Sequence, residues 1–374
     1  MKTNVLFLCF IILSFHSCTS TTNNVSIVNV NDERVLVLEE AKVKETRTVP
    51  ISELTDGYEL IHFENSDKAF FKMQWMYFSE HYICVRQDNG PVMLFDNKGH
   101  FIHNVGNKGH GPGEYISAYD VLLDENSNSI YITSISDDCI LRYDIQGDYI
   151  GKIKLQSRVN KGRMFHQSDS VLSLVHICFS ESSDKFSAAN ITLSSPEKIN
   201  YVFNEALAVN SINEKNERIG FNYENYAYRN THQFAFCVSN SDTLYHYDNK
   251  NNEIRAVFAV RPEHESENPF ILVNELPKHY LTIINGSPIL TEKETGKSYH
   301  AEFVNDYISN TSIYPRIQDG YIFLNIDPTS MKEELQERLN SGDFQTGQEN
   351  RLRHLINLMD SSDNDILFRA KLKD

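Results

Sequence analysis

The chain has one tryptophan, Trp75, in 374 residues, and no dense run of lysine or arginine. Its formal charge is −16. Phosphate backbones are bound by clustered basic side chains, so nucleic acid is excluded as a partner. Electrostatic attachment to anionic lipid is disfavoured for the same reason. There is no CxxC pair, no Cys/His spacing of the zinc type and no HExxH. Beyond the N-terminus, no segment is long and apolar enough to span a bilayer. Few stretches carry helical periodicity, which argues against an α or α/β protein.

The N-terminus begins Met1-Lys2, runs apolar from Val5 to Phe15 and reaches Ser17-Cys18. A basic start and a short apolar core form a secretory signal. Residues 1–17 are expected to be removed, with Cys18 resembling the acylated first residue of a bacterial lipoprotein. The simpler alternative is secretion with Cys18 unmodified. Residues 18–44 are expected to form the lipid anchor and a flexible tether, and 45–374 the folded domain. Four further cysteines, Cys84, Cys139, Cys178 and Cys237, each sit in an apolar run and are expected as buried thiols.

What the chain has in quantity is aromatic residues, 22 Phe and 19 Tyr. They recur in a motif. Residues 92–105, 140–153 and 244–257 each read as an apolar run, aromatic–Asp, a turn and a second apolar run. Phe95-Asp96, Tyr143-Asp144 and Tyr247-Asp248 align, at spacings of one and two steps of about 50 residues. Short strand-like runs separated by Asn, Gly and Asp turns continue through most of the chain. About 330 residues at that period give about six units, so the expected fold is an all-β, six-bladed β-propeller. The run 364–372 is expected to close the ring by completing the blade begun near 58–63, removing exposed strand edges. Residues 328–360 break the pattern. Their leucine spacing predicts a short α-helical insertion of two helices near the C-terminus.

The stretch Gly106 to Tyr115, containing Gly109, Gly111, Pro112, Gly113, Glu114 and Tyr115, follows the first aromatic–Asp hairpin. With Asp120–Asp124 and Asn128–Ile132 beyond it, it resembles the six-bladed β-propeller lipoproteins of Bacteroides-type bacteria. Those are mostly domains of unknown function, related in outline to NHL-repeat propellers. The resemblance covers about 45–155 and the C-terminus. It implies an exported, membrane-anchored lipoprotein of the cell envelope, in the outer membrane and on its periplasmic or surface face.

Candidate sites are few. The glycine loop 106–113 opens no helix, so a structural turn outweighs a phosphate cradle, with Glu114 capping backbone N–H groups and Tyr115 packing between blades. His100 and His103 are three apart on a strand and face opposite sides. Asp124–Asn128 starts like a calcium loop but lacks its glycine and closing glutamate, and reads as a hairpin turn. The acidic loop 262–267 is a solvated loop or a cation or basic-partner site. Ligand contact is best placed at Tyr223, Tyr226, Tyr228, Arg229 and His232, where aromatic faces and hydrogen-bonding groups coincide. Interblade packing is the alternative there. Catalytic residues are not assignable, and no cofactor is required, although a divalent metal is compatible. The leading expectation is a non-enzymatic binding module for a glycan or an envelope protein. The alternatives are a lyase or hydrolase with a site at the channel mouth, with or without a metal, and a structural subunit docking through the helices.

Overall fold

The computed structural model describes residues 24–30, 33–71, 75–135, 137–168, 170–239, 241–264, 269–308, 310–342, 349–359 and 364–374. Cys18 and the signal segment therefore lie outside the described residues, as do Glu265–Glu267 of the acidic loop.

The protein is all-β, a propeller-like arrangement of small, mostly antiparallel sheets. The first sheet is a four-stranded meander, Trp75–Phe78, Tyr82–Arg86, Val92–Asp96 and Phe101–Val105. A larger sheet follows, from Ala118–Asp124 to Ile199–Val202. Its middle is the 20-residue strand Tyr149–Ser168. That strand pairs first with Asp137–Asp144 and then, after a break in register, with Val171–Phe179. The break falls at Lys161, in the left-handed region with φ 52°, and Gly162. The third sheet holds Asn225–Tyr226, Phe234–Val238, Thr243–Asp248 and Glu253–Arg261. The fourth runs from Ile271–Glu275 through His279–Ile284 and Ser287–Glu292 to Ser298–Asn305. The fifth joins Arg316–Gln318, Tyr321–Ile326, Ile366–Lys371 and Glu59–His62. Four blades stand apart as sheets of their own, so the six expected blades are not separately resolved.

The repeated aromatic–Asp motif has a simple physical role. Phe95, Tyr143 and Tyr247 are fully buried, each near the end of the third strand of a hairpin series. The following aspartate turns the chain. Asp96 Oδ1 accepts from the N–H groups of Lys98 and His100, both at 2.9 Å. Asp144 Oδ1 accepts from Asp148 N at 2.8 Å, and Asp248 Oδ1 from Lys250 N at 2.9 Å. A short carboxylate satisfying turn N–H groups is what favours Asp at such positions.

Ring closure follows expectation. Ile366–Lys371 pairs antiparallel with Glu59–His62, matching Phe368 to Leu60. The two helices, Pro328–Ser341 and Glu349–Leu358, also lie where the leucine spacing places them. Asp327 caps the first through Ser330 N at 2.7 Å, and Leu335, Leu352, Leu355 and Ile356 bury against the last sheet. The four cysteines are buried and free.

The tether expectation is corrected. Residues 25–39, placed within a flexible 18–44 segment, instead form the strands Val25–Val30 and Glu33–Glu39. The latter pairs in parallel with Glu253–Arg261, setting Leu36 beside Phe258. Thr46–Pro50 likewise adds in parallel to Ser298–Asn305. Leu38 and Val49 are fully buried as a result. Apolar burial of this kind offsets the ordering cost that a polar tether could not.

Closure by Phe368 is testable. Its ring is fully buried and stacks on Tyr58 with centroids 5.6 Å apart. Phe368→Ala is expected to cost about 3–5 kcal/mol in chemical denaturation. A loss below about 1 kcal/mol would show that the closing strand contributes little.

Candidate functional site

The innermost strands of neighbouring sheets meet around one axis, Trp75–Phe78 against Ala118–Asp124 and against Arg316–Gln318, and Asn225–Tyr226 against Ile271–Glu275. The axis is closed by ion pairs. Arg229 Nε lies 2.6 Å from Asp319 Oδ1, and its Nη1 lies 2.9 Å from Asp120 Oδ2. Its Nη1 and Nη2 also donate to the carbonyls of Met164 and Val121, both at 3.0 Å. Asp120 Oδ2 further accepts from Met164 N at 2.8 Å, and Asp319 Oδ2 from Phe78 N at 2.9 Å. Arg163 Nε donates to Asn225 O at 3.0 Å, and its guanidinium lies 4.5 Å from the Tyr119 ring centroid. Burial works against the Arg229 charge, but Asp120 and Asp319 more than offset it, so the guanidinium is held protonated. The hollow lined by Tyr226, Tyr228 and Arg229 has a volume of only about 10 Å³.

Adjoining this plug is an aromatic run. Phe270 meets Tyr226 edge-on at 6.2 Å. Tyr226 stacks on Tyr228 at 6.3 Å, and Tyr228 lies 6.0 Å from Trp75. The Arg316 guanidinium sits 5.7 Å from the Trp75 ring. Phe270 is 47% exposed.

Beside the run lie three polar atoms that are buried yet have no hydrogen-bond partner, Arg86 Nε, Glu224 Oε1 and Asn225 Oδ1. Such atoms are rare in folded proteins, because each forfeits its solvation. Arg86 is fixed by its Nη1, which donates to Tyr119 O at 3.0 Å. Asn225 is fixed by its Nδ2, which donates to Val175 O at 3.1 Å. Glu224 Oε2 is 2.8 Å from Lys161 Nζ, which also donates to Tyr223 O at 2.6 Å. Burial pushes Glu224 up to about 7, against the pull of the Asn225 N–H and of Arg86. Burial and the nearby Arg163 charge push Lys161 down. One donor and two acceptors beside aromatic faces suit a neutral ligand rich in hydroxyl groups, since a hydroxyl both donates and accepts.

The structure divides the five residues expected to touch ligand. Tyr226 and Tyr228 lie in the aromatic run. Arg229 is only 6% exposed at its side chain, and its donors are committed to the axis. Tyr223 is buried in a hydrophobic cluster, and His232 is exposed away from these contacts. Trp75, Arg86, Lys161, Glu224 and Phe270 were not singled out by the sequence. They come from distant strands that only the ring brings together. One available signal was a charge inside an apolar run, as at Asp120 and Arg163, since a buried charge must be paired.

The glycine loop is a tight turn. Glu114 Oε2 accepts from Gly111 N at 2.8 Å, and a Cβ at Gly109 would collide with that carboxylate. Gly113 has φ 73°, and a Cβ there would come within 2.6 Å of the Tyr149 ring. His110 and Pro112 are exposed on this turn. Tyr115 OH donates to Val105 O at 2.6 Å and accepts from Val92 N at 2.7 Å. His100 faces Asp96 at 2.8 Å, whereas His103 Nε2 lies 2.8 Å from Ile145 O, so they share no site. Asp124 and Ser129 end and begin paired strands, with Ser127 N on Asp124 Oδ1 at 3.3 Å, which is a hairpin turn. Among the described residues, one acidic group with metal-ligand spacing occurs, Asp137, Asp138 and Cys139, and Asp138 is paired with Lys154 there.

Residues 33–371 match the family described as a domain of unknown function, DUF4934, and the chain belongs to that family. Its fold is similar to that of a protein described as exported from Bacteroides fragilis. That likeness has TM-score 0.62 and 17% identity, covering 90% of this chain and 100% of the other. A member of the DUF4221 family from Bacteroides vulgatus aligns more loosely, with TM-score 0.44 and 11% identity over 86% and 97% of the two chains. An auxiliary nutrient binding protein of Bacteroides thetaiotaomicron aligns at TM-score 0.35 and 12% identity over 58% of each. The last two are too distant to bear on function. A search of the curated proteins finds no match. No helix among the described residues is long and apolar enough to cross a membrane.

Two outcomes are expected here. Arg229→Met strands Asp120 and Asp319 and is expected to cost about 3–5 kcal/mol by denaturant unfolding, with Arg229→Lys failing to restore it. Folding favours protonated Glu224, so its contribution to stability is full at low pH and is lost as pH rises through about 7. Glu224→Gln should flatten that decline in melting curves taken between about pH 5 and 8. An unchanged pH profile would mean that Glu224 titrates normally.

Proposed function

We propose that this protein is a six-bladed β-propeller lipoprotein that binds a neutral, hydroxyl-rich ligand, a glycan, at the mouth of its axis. The carrying observation is the coincidence of the Phe270–Tyr226–Tyr228–Trp75 run with unpartnered Arg86 Nε, Glu224 Oε1 and Asn225 Oδ1. Sugar rings present C–H faces to aromatic side chains and hydroxyl groups to mixed donors and acceptors. Binding there leaves the ion-paired plug intact and needs no channel.

The six-blade count treats the strand Tyr149–Ser168 as shared by two blades, 118–155 and 160–202, fused into one sheet. The outline is then that of NHL-type propellers. The signal segment and Cys18 support export and lipid anchoring, and we place the anchor in the outer membrane, at its periplasmic or surface face. No metal or cofactor enters this reading.

Glu224 favours one second reading, an enzyme. A carboxyl near 7 is poised for general acid–base work at neutral pH. A lyase or hydrolase acting on the bound glycan would use it, and Glu224→Gln would then abolish turnover while sparing binding.

A thermal-shift screen of the purified protein against glycan and divalent-metal panels is the direct test. One sugar class is expected to raise the melting temperature. Phe270→Ala, on an exposed ring, is expected to weaken that binding about tenfold at unchanged stability. Stabilisation by a chelator-reversible metal alone would contradict the glycan reading.

A further inference from the structure

A second hollow, of about 260 Å³, lies between the end of Ser298–Asn305, the strand Tyr321–Ile326 and the helix Pro328–Ser341. Its chemistry differs from that of the axis mouth. Asn305 Oδ1, Asn325 Oδ1 and Glu334 Oε1 all belong to its lining, and all three are buried with no hydrogen-bond partner. Asn305 is 97% buried, so its amide oxygen has no access to bulk solvent as an alternative. Asp327 also lines the hollow, and among the described residues no lysine or arginine does. One wall is Tyr314, 57% exposed, and another is Met331.

We propose that this hollow binds the protonated primary amine of a small organic ligand. An ammonium group has three N–H donors and no acceptor, and the lining supplies three unpartnered acceptor oxygens. Glu334 and Asp327 favour positive charge, and an exposed tyrosine face adds cation–π attraction. A calcium ion fits less well, because it takes about six to eight oxygen ligands. The volume also exceeds what an ammonium group fills, leaving room for the carbon skeleton that carries it. A neutral polyol is less well served, because the fully buried unpartnered atoms of the lining are all acceptors. The site is distinct from the axis mouth and does not depend on the glycan reading.

The test is isothermal titration of the purified protein with glucosamine, putrescine and lysine amide, each beside its N-acetylated counterpart, and with calcium chloride. At least one free amine is expected to saturate, with its acetylated form weaker by about tenfold or more. Glu334→Gln, on a helix face, is expected to lose a similar factor while retaining the native circular dichroism spectrum and melting temperature. Phe270→Ala should leave amine binding unchanged, which separates this site from the mouth. The proposal is overturned if no amine saturates, if amines bind Glu334→Gln as tightly, or if calcium alone binds and a chelator reverses it.

Discussion

Arg229 is the constraint on which the rest of the structure depends. Its guanidinium reaches Asp120, Met164 and Val121 on one side of the axis and Asp319 on the other. Four donor contacts thus tie together segments of three sheets. The backbone accepts an unfavourable conformation to do so. Lys161, Arg229 and Asp319 all lie in the left-handed region, with φ of 52°, 54° and 51°. Non-glycine residues held there cost of order 1–3 kcal/mol each, and persist only where their surroundings fix them. Around Arg229 the fixing contacts are its ion pairs, whereas Asp319 takes this conformation with Gly320 in the two-residue hairpin turn between Gln318 and Tyr321. A buried ion pair is weak support for stability as such, but a broken one is severely destabilising. Its role here is geometric, setting where the inner strands stop.

That geometry decides what the protein offers a ligand. Ion pairs fill the axis at Arg229, so the two candidate sites lie elsewhere, and they differ in the sign of what they lack. At the mouth, unpartnered atoms of both polarities sit beside aromatic faces, with Lys161, Arg86 and Arg316 close by. In the hollow under the helix, the fully buried unpartnered atoms are acceptors alone, and the charged lining residues, Asp327 and Glu334, are acidic. Tyr314 lines the second site and lies within electrostatic reach of Tyr226 in the first.

Much of the fold was legible because its signals are local. The aromatic–Asp pair is a buried ring followed by a turn cap, and both halves act within a few residues. The closing strand 366–371 was legible because a ring must hide its edges. The strands from Ile271 to Glu292 lie outside the aromatic–Asp repeat, although Asn285-Gly286, with φ of 48° and 87°, makes a two-residue hairpin turn between two of them. Residues 25–39 escaped because Glu33–Glu39 pairs in parallel with a segment more than 200 residues away, and Val25–Val30 joins the sheet through that strand. The site was half legible. Tyr226 and Tyr228 announced themselves as part of an aromatic cluster. Nothing local shows that Arg229 turns towards Asp120 and Asp319, or that Trp75 and Phe270 join the same aromatic run.

Trp75 provides the most direct measurement, because it is the only tryptophan and lies within the aromatic run. Its selectively excited fluorescence can be followed during titration with the glycan class that raises the melting temperature. A saturable change in emission, lost in Phe270→Ala, is the predicted result. Stabilisation of the protein by a glycan with no change in Trp75 emission would place the ligand elsewhere and contradict the account.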